Sequence, residues 1–178
     1  MTEMSRPSHD PGRYRSIECP EERAIAIAVA AHQGQRDKKG EPFIYHLLRV
    51  MLTVHGSALR QVALLHDLLE DTYWTASDLV AAGFSPDVIR AIELLTRDPN
   101  ETYCEYMVRL SKNTLAKASK LADIQDNYRL DRVAFRPTHV VEDAHRISRY
   151  VLSHDFLLDR ISESEYRNRI QAYDDACH

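Results

Sequence analysis

Residues 63–72 read ALLHDLLEDT and set four ionisable side chains among leucines: His66, Asp67, Glu70 and Asp71. No lysine or arginine within the stretch neutralises the three carboxylates. On a helix, positions one, three and four apart share a face, so these side chains project within an arc of about 140°. The pattern predicts a continuous helix over about 58–72. Its remaining surface is apolar, which is typical of a helix at the centre of a fold.

The acidic face of this helix needs a partner. An ionised carboxylate turned towards a protein interior is costly unless a cation neutralises it. The nearest cation in the sequence is Arg60, and a divalent metal suits imidazole and carboxylate ligands better. The alternative is a partly exposed helix whose acids face solvent. The second pair of acids, one turn after His66 and Asp67 on the same face, favours the metal and predicts that this face lines a buried cavity.

Further ligands must come from other segments, because one helix supplies two comfortably. His46, in PFIYHLLRV, and Asp123, in KLADIQDN, both lie in apolar helical patterns. Taken alone, His46 fits a buried or capping histidine, and Asp123 fits a salt-bridge partner of Lys120. Together with the His66-Asp67 dipeptide they complete a set of two imidazoles and two carboxylates.

The composition is that of an ordinary globular protein of 178 residues, with 44% hydrophobic and 28% charged residues. We expect a flexible N-terminal arm over residues 1–16 and a single domain over 17–178. A net charge of −4 without a basic block argues against nucleic acid as a partner. The lack of a membrane-length apolar run or a signal-peptide core predicts a cytoplasmic protein without a membrane partner. The oligomeric state stays open.

Helical patterns continue along the rest of the chain. Residues 24–31 (AIAIAVAA) alternate and would also suit a strand, but their alanine content and the length from Pro20 to Gly34 favour a buried helix. Residues 34–42 (GQRDKKGEP) form a polar, basic loop. We find no internal repeat and no convincing strand, so the predicted class is all-α, a helical bundle around a central metal-binding helix. The other predicted helices cover about 46–56, 86–96, 101–110, 114–128, 139–153 and 155–172, with a short one opening at Ser77 and Asp78.

The ligand set resembles that of the HD metal-dependent phosphohydrolase superfamily. The surrounding segments are similar, in the same order, to the hydrolase motifs of the RelA/SpoT homologues, over roughly residues 22–130. Those segments are AAHQGQRDKKGEPFIYHLLRV, ALLHDLLEDTYWTASDL, LTR with TYCEYMVRL, and KLADIQDN. Since the chain has no room for synthetase and regulatory domains, it resembles the single-domain small alarmone hydrolases.

This resemblance implies an HD-domain bundle and a manganese-dependent hydrolase, with another divalent metal as the alternative. The implied reaction removes the 3′-pyrophosphate of ppGpp or pppGpp, a small-molecule nucleotide, to give GDP or GTP and pyrophosphate. The implied metal ligands are His46, His66, Asp67 and Asp123, and the implied catalytic acids that orient and deprotonate water are Glu70 and Asp71. The implied substrate contacts are Asn127 near the sugar and Arg36, Lys38 and Lys39 near the phosphates.

Two positions depart from the family pattern. Asp37 stands where many members carry an arginine that packs on guanine, and Leu47 stands where proline often follows the first metal histidine. An ammonium on the neighbouring Lys38 does not replace a planar guanidinium. A hydrolase of another nucleotide, such as an adenine alarmone, NADPH or a nucleoside monophosphate, is therefore the alternative function. A catalytically silent module that senses a nucleotide is the third hypothesis.

Overall fold

The computed structural model describes residues 9–129 and 137–176 of the chain. No helix in these ranges is long and apolar enough to cross a membrane. Their extended structure is one isolated bridge between Arg36 and Pro42, so the all-α prediction is confirmed. The α-helices are α1 (Pro20–Ala31), α2 (Ile44–Thr53), α3 (Ser57–Leu65), α4 (Leu68–Asp71), α5 (Ala76–Ala81), α6 (Pro86–Leu95), α7 (Tyr103–Ser111), α8 (Thr114–Tyr128), α9 (Val140–Leu157) and α10 (Glu163–Ala176). Two short 3₁₀ helices cover Pro11–Ser16 and Pro137–His139.

Helix α3 lies at the centre of the bundle. It packs against α1, α2, α6 and α8, while α9 and α10 pack on each other and on α8 and α7 respectively. Every residue from Gln61 to His66 is buried, and Leu64 and Leu65 have no exposed surface. The sequence prediction of a central helix is confirmed. The chain therefore leaves the core at the His66-Asp67 dipeptide, near the centre of the molecule.

The predicted continuous helix over about 58–72 is wrong at one point. Helix α3 ends at Leu65, and α4 starts at Leu68 after a turn in which Asp67 has φ −98° and ψ 0°. The His66 imidazole Nδ1 lies 2.8 Å from the carbonyl oxygen of Ala63, in reach of a hydrogen bond. This side-chain contact competes with the regular helical ladder for a backbone acceptor, which gives a physical reason for the break.

Helix starts were well predicted where the sequence carries capping signals. Helix α1 begins with Pro20 in its first turn, and α6 begins with Pro86 after Ser85, whose side chain accepts a bond from Val88 N. Helix α8 begins at Thr114 because the Asn113 side chain accepts from Ala116 N at 2.9 Å. Proline, serine and asparagine at these positions satisfy or remove amides that have no partner inside the helix.

The predicted break near His154 is wrong, because α9 runs through to Leu157. The hydroxyl of Ser153 lies 3.0 Å from the Tyr166 hydroxyl, and Ser153 is buried where α9 packs on α10. The chain turns instead at Asp159, whose φ of +57° lies in the left-handed region. Ser153 therefore contributes to the packing of the two helices.

The predicted N-terminal arm differs from the structure in its second half. Residues 1–8 lie outside the described residues, whereas Pro11–Ser16 forms a 3₁₀ helix that contacts α5 and α1. Tyr14 is buried there, with its ring centroid 5.8 Å from that of Trp74. An aromatic side chain in an otherwise polar segment holds this turn on the core. The division into an arm and one domain stays a prediction.

Candidate metal centre

The four predicted metal ligands come together beside the break between α3 and α4. His66 Nε2 lies 3.1 Å from Asp67 Oδ2 and 3.6 Å from Asp123 Oδ1. His46 Nε2 lies 3.3 Å from Asp123 Oδ1 and 3.9 Å from Asp67 Oδ2. Ligand atoms of His46, His66 and Asp67 all lie within 4.8 Å of one another. Helix α2 supplies the first imidazole, the α3–α4 turn the dipeptide, and α8 the second carboxylate.

The environment of His66 fits a metal ligand. With Nδ1 directed at the Ala63 carbonyl, the neutral form of the ring carries its proton on Nδ1 and directs the lone pair of Nε2 into the cluster. His66 Nε2 is buried and makes no hydrogen bond, because its two neighbouring carboxylates are close but poorly aligned with it. A buried ring nitrogen without a hydrogen bond is destabilising unless another partner takes it. The residues present therefore fit a divalent cation.

The His46 ring also directs its Nε2 towards the cluster, but a different partner holds it there. Its Nδ1 lies 2.7 Å from Oδ2 of the buried Asp126, whose Oδ1 accepts a bond from Arg49 Nε at 2.8 Å. Nε2 of His46 is thereby turned towards Asp123. Asp126 was missed in the sequence, although its position one turn after Asp123 on α8 was a usable signal, since residues three apart share a helix face.

Asp123 combines both roles that the sequence suggested for it. Its Oδ2 accepts a bond from Lys120 Nζ at 2.7 Å, while Oδ1 faces the two imidazoles. The side-chain amide of Asn127 also donates to Oδ1, at 2.5 Å. One oxygen of the Asp123 carboxylate thus pairs with Lys120, while the other is directed at the candidate metal site. The predicted contact of Asn127 with a sugar stays a prediction.

The carboxylates and imidazoles of the cluster change one another's pKa values. Burial alone would lower the pKa of His66, but the carboxylates of Asp67 and Asp123 outweigh it and hold the pKa well above its usual value. Burial alone would raise the pKa of Asp123, but Lys120 and the imidazoles hold it well below the usual range. The carboxylates of the site thus favour the protonated, positively charged form of its imidazoles. A bound cation would take the place of those protons, since histidine binds metal in its neutral form.

A cavity of about 490 Å³ opens in front of the cluster. Its lining combines acids with cations from two sides: Asp37, Asp67, Glu70, Asp71 and Asp123 among the acids, and Arg36, Lys38, Lys39, Lys120 and Arg146 among the cations. The prediction that the acidic face lines a buried cavity holds only in part. His66 is buried and Asp67 is half-buried, whereas Glu70 and Asp71 are exposed to the open cavity, because the turn at Asp67 carries α4 to the surface.

The two predicted catalytic acids stand one turn beyond the dipeptide. Asp71 N donates to Asp67 O at 2.9 Å, which fixes α4 to the turn. Glu70 Oε2 accepts a bond from the backbone amide of Arg97 at 3.3 Å. The Asp71 carbonyl accepts from Gln35 Nε2 at 3.0 Å, so the C-terminal end of α4 is tied to two neighbouring loops. Burial and the charge of Asp67 raise the pKa of Asp71.

The basic loop is shaped by Asp37. The Asp37 Oδ1 atom accepts bonds from the backbone amides of Lys39 at 2.9 Å and Glu41 at 3.0 Å. Gly40 has φ +81°, a conformation that glycine adopts without strain. This fold of the loop places Arg36, Lys38 and Lys39 along the cavity. The departure from the family pattern thus stabilises the loop internally.

Helix α9 adds two cavity residues that had no sequence signal, Arg146 and Tyr150. They reach the site through the packing of α9 on α8, a long-range contact that local patterns do not encode. A larger, more open hollow of about 1040 Å³ lies elsewhere, between the α6–α7 loop, α7 and Arg167. It contains none of the four candidate metal ligands, so the smaller cavity is the candidate site.

The helical bundle and the constellation at its centre define an HD-domain fold. In fold, the chain is similar to a metazoan ortholog of SpoT described as hydrolysing ppGpp and playing a role in starvation responses. The TM-score is 0.56, with 21% identity, over 80% of this chain and 96% of that one. No protein-family model matches the chain.

In sequence, the chain is similar to proteins of the RelA/SpoT type. It is 30% identical over 132 residues to a guanosine-3′,5′-bis(diphosphate) 3′-pyrophosphohydrolase of Aquifex aeolicus. It is 32% identical over 124 residues to a GTP pyrophosphokinase of Streptomyces coelicolor. These matches cover 67% and 62% of this chain but only 18% and 14% of the relatives' own lengths. The resemblance predicted from the motifs is confirmed.

Proposed function

We propose that this chain is a metal-dependent hydrolase that removes the 3′-pyrophosphate of guanosine alarmones. The observation that carries the proposal is the convergence of His46 Nε2, His66 Nε2 and the Asp67 and Asp123 carboxylates. A cavity with basic walls opens directly in front of them. In the reaction, water attacks phosphorus, the bond from that phosphorus to the 3′ oxygen breaks, and GDP or GTP leaves with a 3′-hydroxyl beside free pyrophosphate.

A divalent cation, for which we propose manganese, would be held by His46, His66, Asp67 and Asp123. When bound, such an ion lowers the pKa of water and polarises a phosphoryl oxygen. The protein's own contribution to the proton transfer comes from α4. Glu70 and Asp71 are exposed to the cavity one turn from the dipeptide, where a carboxylate orients the attacking water and accepts its proton.

The basic wall of the cavity suits the phosphates of the substrate. Arg36, Lys38 and Lys39 come from the loop between α1 and α2, and Arg146 comes from α9 on another side. Arginine binds phosphate through a planar pair of N–H groups, whereas lysine provides a mobile point charge. We propose that the loop cations hold the pyrophosphate and that Asn127 lies near the sugar.

Metal removal gives the first test. Purified protein supplied with Mn²⁺ should release pyrophosphate and GDP from ppGpp, and EDTA should abolish the release because the divalent ion would activate the water and polarise the phosphoryl group. Restoring Mn²⁺ in excess of the chelator should restore the rate. Products are followed by anion-exchange chromatography. Intact ppGpp after prolonged incubation with metal-loaded protein would contradict the proposal, and stoichiometric metal without turnover of any nucleotide would point to a sensing module.

Base preference gives the second test, because Asp37 favours the alternative of a different nucleotide. A panel of ppGpp, pppGpp, the adenine analogue, NADPH and nucleoside monophosphates would rank the substrates by kcat/KM. Asp37→Arg should raise the preference for guanine by about 5- to 30-fold if the guanidinium stacks on the base, an effect of about 1–2 kcal/mol. Since Asp37 also stabilises the loop, Asp37→Ala, which removes the same loop bonds without adding a guanidinium, is the matched control. An unchanged ranking in Asp37→Arg would reject this role for the loop position.

A further inference from the structure

The two imidazoles of the cluster are supported in different ways. His66 Nδ1 faces a neutral backbone carbonyl, that of Ala63, at 2.8 Å. His46 Nδ1 faces a carboxylate, Asp126 Oδ2, at 2.7 Å. The residues involved are buried, with 4% exposure for both His46 and Asp126, so water does not screen the contact. The difference gives Asp126 a specific effect on one of the two imidazoles.

Asp126 is itself held in place by a second partner. Arg49 reaches it from α2 with Nε 2.8 Å from Oδ1 and a terminal nitrogen 3.3 Å from Oδ2. A guanidinium in a paired contact of this kind fixes the plane of the carboxylate. Since both oxygens of Asp126 accept hydrogen bonds from Arg49, the proton in the contact with His46 belongs to Nδ1. Nε2 of His46 then carries a lone pair directed at the cluster.

We propose that Asp126, fixed by Arg49, is a positioning residue that selects the His46 tautomer and ring orientation needed for metal binding. The inference rests on the metal centre of the proposed function, and it adds Asp126 and Arg49, two residues to which the family resemblance assigned no role. A carboxylate behind an imidazole also increases its basicity as a ligand. Without Asp126, the His46 ring is free to place its proton on Nε2 or to rotate, and both changes remove the lone pair from the cluster.

Asp126→Asn is the direct test, because it keeps the shape of the side chain and removes its charge. Mn²⁺ binding, measured by the loss of the free-ion EPR signal, should weaken by about 10- to 100-fold. The matched control is Glu101→Gln, which neutralises another arginine-paired carboxylate, held by Arg109 at 2.7 Å, away from the cluster. This control should bind Mn²⁺ like the unmodified protein, even if its thermal stability falls.

A double-mutant cycle separates positioning from a general structural role. In a His46→Ala background, adding Asp126→Asn should cost less than about threefold further in Mn²⁺ affinity, because the residue through which Asp126 acts is absent. An equal loss in both backgrounds would overturn the proposal, and so would unchanged Mn²⁺ affinity in Asp126→Asn. If Asp126→Asn fails to fold by circular dichroism, Arg49→Gln replaces it, with a smaller loss expected in the same cycle and the same contrary outcomes.

The outcomes also separate this inference from the proposed function. If the unmodified protein hydrolyses ppGpp with Mn²⁺ but Asp126→Asn binds the ion equally well, the positioning role is rejected and the activity stands. If Asp126→Asn weakens Mn²⁺ binding while the unmodified protein leaves ppGpp intact, the positioning role stands and the substrate is wrong. Failure of the unmodified protein to bind Mn²⁺ at millimolar concentration would reject both.

Discussion

Asp67→Asn should abolish stoichiometric Mn²⁺ binding and lower the rate of ppGpp hydrolysis by at least about 1,000-fold. Asp67 Oδ2 lies 3.1 Å from His66 Nε2 and 3.9 Å from His46 Nε2, so this oxygen faces both imidazoles. Asparagine keeps the size of the side chain but removes the negative charge that a divalent ion needs. A bound metal contributes several kcal/mol to stabilisation of the transition state, and about 1.4 kcal/mol corresponds to a factor of ten in rate.

The measurement pairs metal analysis of the purified variant with pyrophosphate release. Asp87→Asn is the matched control, because Asp87 is an exposed acid in the first turn of α6, and it should retain both metal and rate. Asp67→Asn also removes a charge that raises the pKa of His66, so its folding is checked by thermal melting. A folded Asp67→Asn variant with full metal content would show that Asp67 is not a ligand.

Glu70→Gln should retain Mn²⁺ and lose hydrolysis by about 100- to 10,000-fold, the usual contribution of a general base. Glu70 stands at the cavity and accepts a bond from the Arg97 amide at 3.3 Å, a bond that the glutamine oxygen can keep. The substitution thus changes the proton-accepting ability of the side chain more than its position. Single-turnover rates at saturating Mn²⁺ separate this effect from weakened metal binding.

Asp71→Asn is the comparison that decides which acid takes the proton. Burial and the nearby Asp67 raise the pKa of Asp71, while its backbone carbonyl keeps the bond from Gln35. If Asp71→Asn loses more rate than Glu70→Gln, Asp71 is the base and Glu70 orients the water. Full activity in both variants would contradict the assignment of either residue to the proton transfer.

The sequence predicted those features whose cause is local. Pro20 gave the start of α1, and the apolar surface of the segment predicted to be helical over about 58–72 identified α3 as central. The motifs gave the four candidate ligands, and the structure brings them together. The helix start and the central helix follow from interactions within a few residues of chain and from helical periodicity, whereas the four ligands, which come from different helices, were identified through the family motifs.

Features that depend on competition or on distant packing were not predictable. The helix break at Asp67 arises because the His66 imidazole competes for the Ala63 carbonyl, an outcome that periodicity alone cannot show. Asp126 gains its importance from His46 and Arg49, which lie about 80 residues earlier in the chain, at separations of 80 and 77. Arg146 enters the cavity only through the packing of α9 on α8.

The central claim is that His46, His66, Asp67 and Asp123 share one cation. Anomalous diffraction at the manganese absorption edge, on crystals of the Mn²⁺-loaded protein, tests it most directly. The account predicts a single strong peak in direct contact with both Nε2 atoms and with one oxygen from each carboxylate. A peak elsewhere, or side chains that turn away from one another in the loaded protein, would contradict it.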